Sequence, residues 1–120
     1  MLHHQRAKIA FPAHNELYVV DCDSVLYMKA DDHYTQVYYQ SGEHFLLPFG
    51  LSSIEDKLNK TFADECFLQR VGRTYIINTH TIFHINTVKE IVLLTDGSGT
   101  THSIRISKQA LRNLMDKINV

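Results

Sequence analysis

The sequence contains no apolar run approaching the roughly 18 residues that a membrane-spanning helix needs. Its opening stretch, M-L-H-H-Q-R-A-K, has no apolar centre of signal-peptide length. Both absences make the cytoplasm the expected location. Only two cysteines occur, Cys22 and Cys66, without metal-ligand spacing; they read as reduced thiols, with a disulfide left open. The five glycines are scattered, and none builds a G-x-x-x-x-G-K phosphate loop. A G-x-S-x-G elbow is missing, and neither cysteine has an evident histidine partner, so nucleophilic catalysis has no candidate. Asp31 and Asp32 are adjacent carboxylates in a turn, a pattern of solvated groups rather than of an acid/base pair with shifted pKa values. The expectation is a protein that is not an enzyme and uses no cofactor.

What is present suits one soluble globular domain: 120 residues, 44% hydrophobic and 21% charged. Residues 1–12 read as a tail and lead-in to the first strand, and 13–120 as a single domain. The formal net charge is −1. Its distribution is uneven, because residues 1–65 carry five Lys/Arg against ten Asp/Glu, whereas residues 66–120 carry seven against three. One basic face is a reasonable inference, although halves of a sequence need not be halves in space.

Short β-like runs dominate. Leu17 to Val20 is apolar, and Val25 to Ala30 alternates, with Leu26, Met28 and Ala30 on one side. Tyr34 to Tyr39 and His44 to Phe49 flank Ser41-Gly42-Glu43 and read as a hairpin. Ser52-x-x-Glu55 fits a capping box, with Ile54 and Leu58 on the buried side of the helix that follows. Further strands are expected at Leu68–Arg70, Tyr75–Asn78, Ile82–Asn86 and Ile91–Thr95. Asp96-Gly97 signals a turn into Thr101–Ile106. Ser107 can cap a last helix bearing Leu111, Leu114, Met115 and Ile118 at helical spacing. The fold class is mainly β, with antiparallel sheets, a short central helix and a C-terminal helix.

Eight histidines invite a metal reading. His80 and His84 are four apart, but their surroundings are β-like. Positions four apart on a strand lie roughly 13 Å from each other, too far for one zinc. No third ligand accompanies them, so no metal is expected.

The most informative stretch is L-Q-R-V-G-R-T-Y-I-I-N at 68–78. Arg70 and Arg73 flank Gly72 and run directly into a β-branched strand. A glycine permits close approach to another surface, and arginine forks match phosphate and guanine edges. Taken alone, the pair reads first as a solvated hairpin turn. Two other loops share its polar, cationic character: Asp32-His33-Tyr34-Thr35, and Arg105-Ile106-Ser107-Lys108-Gln109. If the three meet at one edge, they form a nucleic-acid surface. Cations would supply the salt-sensitive phosphate term, and His, Ser, Thr, Gln and Arg would read base edges. The amide end of the last helix would favour a phosphate.

The order of these motifs resembles the LytTR-type DNA-binding domain of bacterial transcription regulators. The matching residues are V-L-Y-M-K-A-D-D-H-Y-T at 25–35, L-P-F-G-L-S-S-I-E-D-K-L at 47–58, R-V-G-R-T-Y-I-I-N at 70–78, D-G at 96–97 and I-R-I-S-K at 104–108. Together they span roughly residues 8 to 118. The resemblance implies an elongated arrangement of antiparallel sheets. It also implies sequence-specific binding of duplex DNA, with loops entering successive major grooves. Members act as monomers that pair on repeated elements. By position the contacts fall on His33, Tyr34 or Thr35, then Arg70 and Arg73, then Ser107, Lys108 or Gln109, with Arg105 as a neighbour.

Two positions depart from the family. Gly72 stands where many members have histidine, and Lys108 where arginine is common. Lysine is a point charge without the bidentate fork and favours phosphate over guanine. The family's usual receiver domain has no room before the first strand. A free-standing regulator, a piece of a longer one, or a sensor or receiver acting in trans are the arrangements left. An alternative reading is a protein-interaction or oligomerisation module of the same fold that does not bind DNA.

Overall fold

The computed structural model describes residues 7–118, which alternating apolar residues and well-placed turn formers divide into ten antiparallel strands and two α-helices. Strands β1 (Lys8–Ala13) and β2 (Glu16–Asp21) form a separate hairpin. A central sheet has the order β5-β4-β3-β7-β6, built from β3 (Val25–Asp31), β4 (Tyr34–Tyr39), β5 (His44–Leu47), β6 (Leu68–Val71) and β7 (Tyr75–Asn78). A third sheet, ordered β10-β9-β8, contains β8 (Ile82–Asn86), β9 (Ile91–Thr95) and β10 (Thr101–Arg105). Helix α1 (Leu51–Phe62) connects β5 to β6, and α2 (Lys108–Ile118) follows β10. The described molecule measures 46 × 43 × 27 Å, thin in one direction.

Strand alternation gives the central sheet a core on each side. Val25, Met28, Val37, Leu47, Leu68 and Ile76 pack with α1 and the β1–β2 hairpin. Leu26, Val71 and Ile77 pack with Val92, Leu94, Ile104 and the α2 residues Leu111 and Leu114. Adjacent Ile76 and Ile77 therefore serve opposite cores, as a period of two requires. This sandwiching makes β7 a stiff base for the turn that precedes it. At its far end, Asn78 is buried. Its amide donates to the Val25 carbonyl at 2.8 Å, and its Oδ1 accepts from the His80 amide at 2.9 Å.

Several expectations are corrected. Leu26 does not share a face with Met28 and Ala30. A bulge between Val25 and Tyr27 inserts an extra residue opposite β4 and turns Leu26 to the second core. Residues 8–12, read as lead-in, form β1, which buries Ile9 and Phe11; Pro12 is tolerated on this short exposed hairpin. The remainder of the expected tail, residues 1–6, lies outside the described residues. The Ser52-Glu55 capping box does not form. The helix begins after Gly50 without a side-chain cap. Met115 and Ile118 share the helical spacing of Leu111 and Leu114 but remain exposed, because the second core ends at Leu114. Both cysteines are free and buried. Burial pushes the Cys22 thiol up to about 12 and raises that of Cys66, so both stay protonated at neutral pH.

The β9–β10 hairpin closes on Asp96. Its carboxylate accepts from the Ser98 hydroxyl (2.6 Å), the Ser98 and Thr100 amides (2.9 and 3.0 Å) and faces His102 Nε2 at 2.9 Å. The Ser98 hydroxyl, followed by His102, holds this carboxyl well below the usual range. A lowered folded-state value means the ionised group stabilises the fold above about pH 4, and that contribution fades as the pH falls further. Asp96→Ala should therefore lower the urea midpoint at neutral pH, and the gap to the parent should narrow below about pH 4. An unchanged gap down to about pH 2 would contradict this account.

Candidate nucleic-acid interface

The antiparallel register places the first two candidate loops at the same end of the central sheet. Strand β3 runs toward the Asp32-His33 turn, and β7 leaves the 72–74 turn beside it, with Lys29 paired to Tyr75. The Ala30 amide donates to the Thr74 carbonyl at 2.7 Å, which ties the two turns together. Gly50 at the start of α1 lies against the His33 carbonyl, so the helix begins at this end as well.

Within the first loop, Asp32 takes a left-handed conformation (φ 56°) and projects His33 outward. His33 is 92% exposed and 3.7 Å from the Asp32 carboxylate, a pairing that solvent largely screens. Tyr34 is exposed. Thr35, expected as a contact, is fully buried, and its hydroxyl donates to the Phe49 carbonyl at 2.8 Å. Alternation explains the difference: residues 35 and 37 face the first core, whereas 34 and 36 face away. Thr35 braces the loop from within.

The two arginines of the second loop differ sharply. Arg70 shares a sheet face with Leu68 and points toward α1. Its Nη1 donates to Glu55 Oε1 at 3.0 Å and to Ser52 Oγ at 3.3 Å. Its Nε donates to the Gly72 carbonyl at 3.0 Å and its Nη2 to the Arg73 carbonyl at 3.1 Å. Only 20% of this side chain is exposed. The guanidinium that the sequence presents as a DNA contact is thus a bracket between helix and turn, and Ser52 and Glu55, inside a helix that already starts at Leu51, are its partners rather than a cap. Arg73 is exposed, with its side chain outside this bracket. Gly72 adopts φ +67°, a value that strains any other residue.

The third loop meets the second across a cleft of about 180 Å³, lined by Gly72, Arg73 and Thr74 on one side and Arg105, Ser107 and Ala110 on the other. Ser107 is the helix cap: its Oγ accepts from the Ala110 amide at 3.3 Å. Lys108 and Gln109 are exposed on the first turn of α2, and Gln109 bonds Asn113 at 3.1 Å. Glu90 braces this loop twice. Its carbonyl accepts from the Ile106 amide at 3.0 Å, and its carboxylate from the Lys108 amide at 2.9 Å. The amide end of α2, expected to favour a phosphate, therefore already holds a carboxylate.

All three candidate loops lie around one end of the molecule. His33, Tyr34, Arg73, Arg105, Ser107, Lys108 and Gln109 reach its surface, whereas Thr35 and Arg70 support it from behind. Sequence reasoning missed both carboxylates that organise the end. Glu55 has the spacing of a cap, and Glu90, left-handed at φ 57°, lies in a turn that no glycine or proline marks. Elsewhere, His80 stacks on Phe67 at 4.6 Å. Among the described residues, no group of three His, Cys, Asp or Glu side chains is placed to hold a metal.

A family model described as the LytTr DNA-binding domain matches residues 15–119. Among solved structures, the chain is similar to one described as the LytTr DNA-binding domain of a methyl-accepting/DNA response regulator from Bacillus cereus. That likeness has a TM-score of 0.64 and 18% sequence identity, and covers 97% of this chain and all of the other; at this identity it speaks to the fold. No curated protein matches the chain.

The bracket has a measurable consequence. Arg70→Ala should cost about 1–3 kcal/mol of folding stability, because it leaves the half-buried Glu55 carboxylate and two turn carbonyls without their donor. Amide exchange should accelerate at residues 72–74 well before global unfolding. Denaturant titration and hydrogen exchange read the two effects; a stability change within about 0.5 kcal/mol would show that the bracket is dispensable.

Proposed function

This chain belongs to the LytTr DNA-binding domain family, and from that premise we propose that it binds duplex DNA sequence-specifically by setting the three clustered loops into successive major grooves. DNA binding in transcriptional regulation is the family's activity. The observation that carries the finer reading is the convergence of His33, Arg73, Arg105 and Lys108, all exposed, at one end of a sheet packed on both faces. The net charge of −1 does not oppose this reading, because exposed cations meet phosphates locally.

The roles divide by chemistry. Arg73 carries a fork suited to guanine O6 and N7. His33 and Gln109 offer hydrogen bonds to base edges, and Tyr34 and Ser107 to bases or phosphates. Lys108 and Arg105 supply the electrostatic term that positions the protein. Arg70 acts through Arg73: by holding the turn's carbonyls, it sets the direction from which that fork approaches. The domain, β1 included, acts as one binding unit, monomers pair on repeated DNA elements, and a sensor or receiver acts in trans. A second reading, an interaction module of the same fold, draws on Leu17 and Val19, which lie two apart on β2 and are 62% and 52% exposed.

Anisotropy titration against genomic fragments over a range of salt tests the reading. A subset of fragments should bind far more tightly than bulk competitor DNA. Arg73→Ala should cost about 1–3 kcal/mol on that subset and relax the preference at one position. Lys108→Ala should weaken all duplexes alike and lower the salt slope by about one. Binding no stronger to any fragment than to competitor would leave only the interaction-module reading.

A further inference from the structure

The cleft between the second and third loops is more specific than a basic surface. Resting on the DNA-binding reading, we propose that it is a phosphate seat, taking one phosphodiester group of the DNA backbone between the 72–74 turn and the β10–α2 junction.

Four features point to an anion. Arg105, from the end of β10, lines the cleft opposite the backbone of the 72–74 turn. No acidic residue lines it. Ser107 also lines it; because its Oγ accepts from the Ala110 amide, its hydroxyl hydrogen is left to donate outward. The fourth feature follows from peptide geometry. Arg70 draws the carbonyls of Gly72 and Arg73 toward α1. The peptides are planar and trans, so the amides that follow, those of Arg73 and Thr74, point the opposite way, toward the α2 side. Successive amides aimed into one concavity make an anion nest.

The floor of the cleft is kept open by small residues. Gly72 has no side chain, and a Cβ there would meet the Ala110 Cβ at 3.7 Å. The seat is not a helix end, because Glu90 already takes the Lys108 amide. The glycine that departs from the family thus has a role of its own. It brings backbone amides to a phosphate where a larger residue would fill the gap.

The test uses inorganic phosphate as probe and two variants of the full chain. In amide NMR spectra, sodium phosphate should shift residues 72–74 and 107 more than sodium chloride at equal ionic strength. Arg105→Ala, an exposed change that leaves both cores intact, should abolish the excess shift. Ala110→Leu should do the same by filling the cleft. On duplex DNA, each variant should lose roughly tenfold or more on every sequence, as expected for a lost charged hydrogen bond. The salt slope should fall by about one and base preference should be unchanged.

If wild-type DNA binding is intact but phosphate gives no excess shift and Ala110→Leu binds like the parent, the seat is overturned while the DNA reading stands. If phosphate shifts these amides but no duplex binds, the backbone assignment is overturned together with the DNA reading.

Discussion

One guanidinium holds the functional end of this molecule in shape. Arg70 reaches from β6 to the first turns of α1 and to both carbonyls of the turn that follows it. A three-residue turn between short strands would otherwise sample several conformations, and Gly72 widens that choice. Tying Gly72 and Arg73 to a group that also grips Glu55 removes the freedom without adding a bulky side chain. The cost is a partly buried ion pair, which is weak evidence for stability by itself. Its value lies in orientation. One arginine is immobilised, and the other projects from a backbone with a fixed direction.

That bracket works because both of its attachment points are rigid. β7 lies between two cores, with Ile76 and Ile77 committed to opposite sides, and Asn78 pins its far end through buried hydrogen bonds. α1 is held by Leu51, Ile54 and Leu58 on the first core. The third loop hangs from the second core instead, through Ile104, Ile106 and Leu111. The central sheet is therefore the common reference for all three loops. Glu90 plays for the third loop the part that Arg70 plays for the second, a side chain that satisfies backbone groups at the surface.

Most strands were legible because their side chains follow the two-residue period and their turns carry glycine or aspartate. β7, β8 and β9 fall within the expected bounds. The errors share a cause: a local pattern met a competing tertiary partner. Ser52 and Glu55 have the spacing of a cap, but Arg70, distant in sequence, takes both. Thr35 has the chemistry of a DNA contact, but strand parity turns it inward. Leu26 keeps the alternation of its neighbours in sequence, but a bulge reverses it. Met115 and Ile118 continue a helical stripe past the point where the partner sheet ends. In each case the residue type was readable and its partner was not.

The same distinction separates the cations that matter for binding from those that only count toward charge. Arg70 contributes one positive charge to the sequence and almost none to an approaching duplex, since Glu55 lies 3.0 Å from it. Counterion release depends on cations free to meet phosphates, so on the proposed reading Arg105 and Lys108 carry that term at this end. On that reading two such cations give a modest salt slope, and a larger share of discrimination rests on directional contacts from His33, Arg73 and Gln109. Directional contacts are useful only if their bases are rigid. A protein of near-zero net charge that recognises DNA must therefore invest in loop geometry rather than in charge, and the buried threonine, the bracketing arginine and the bracing glutamate are that investment.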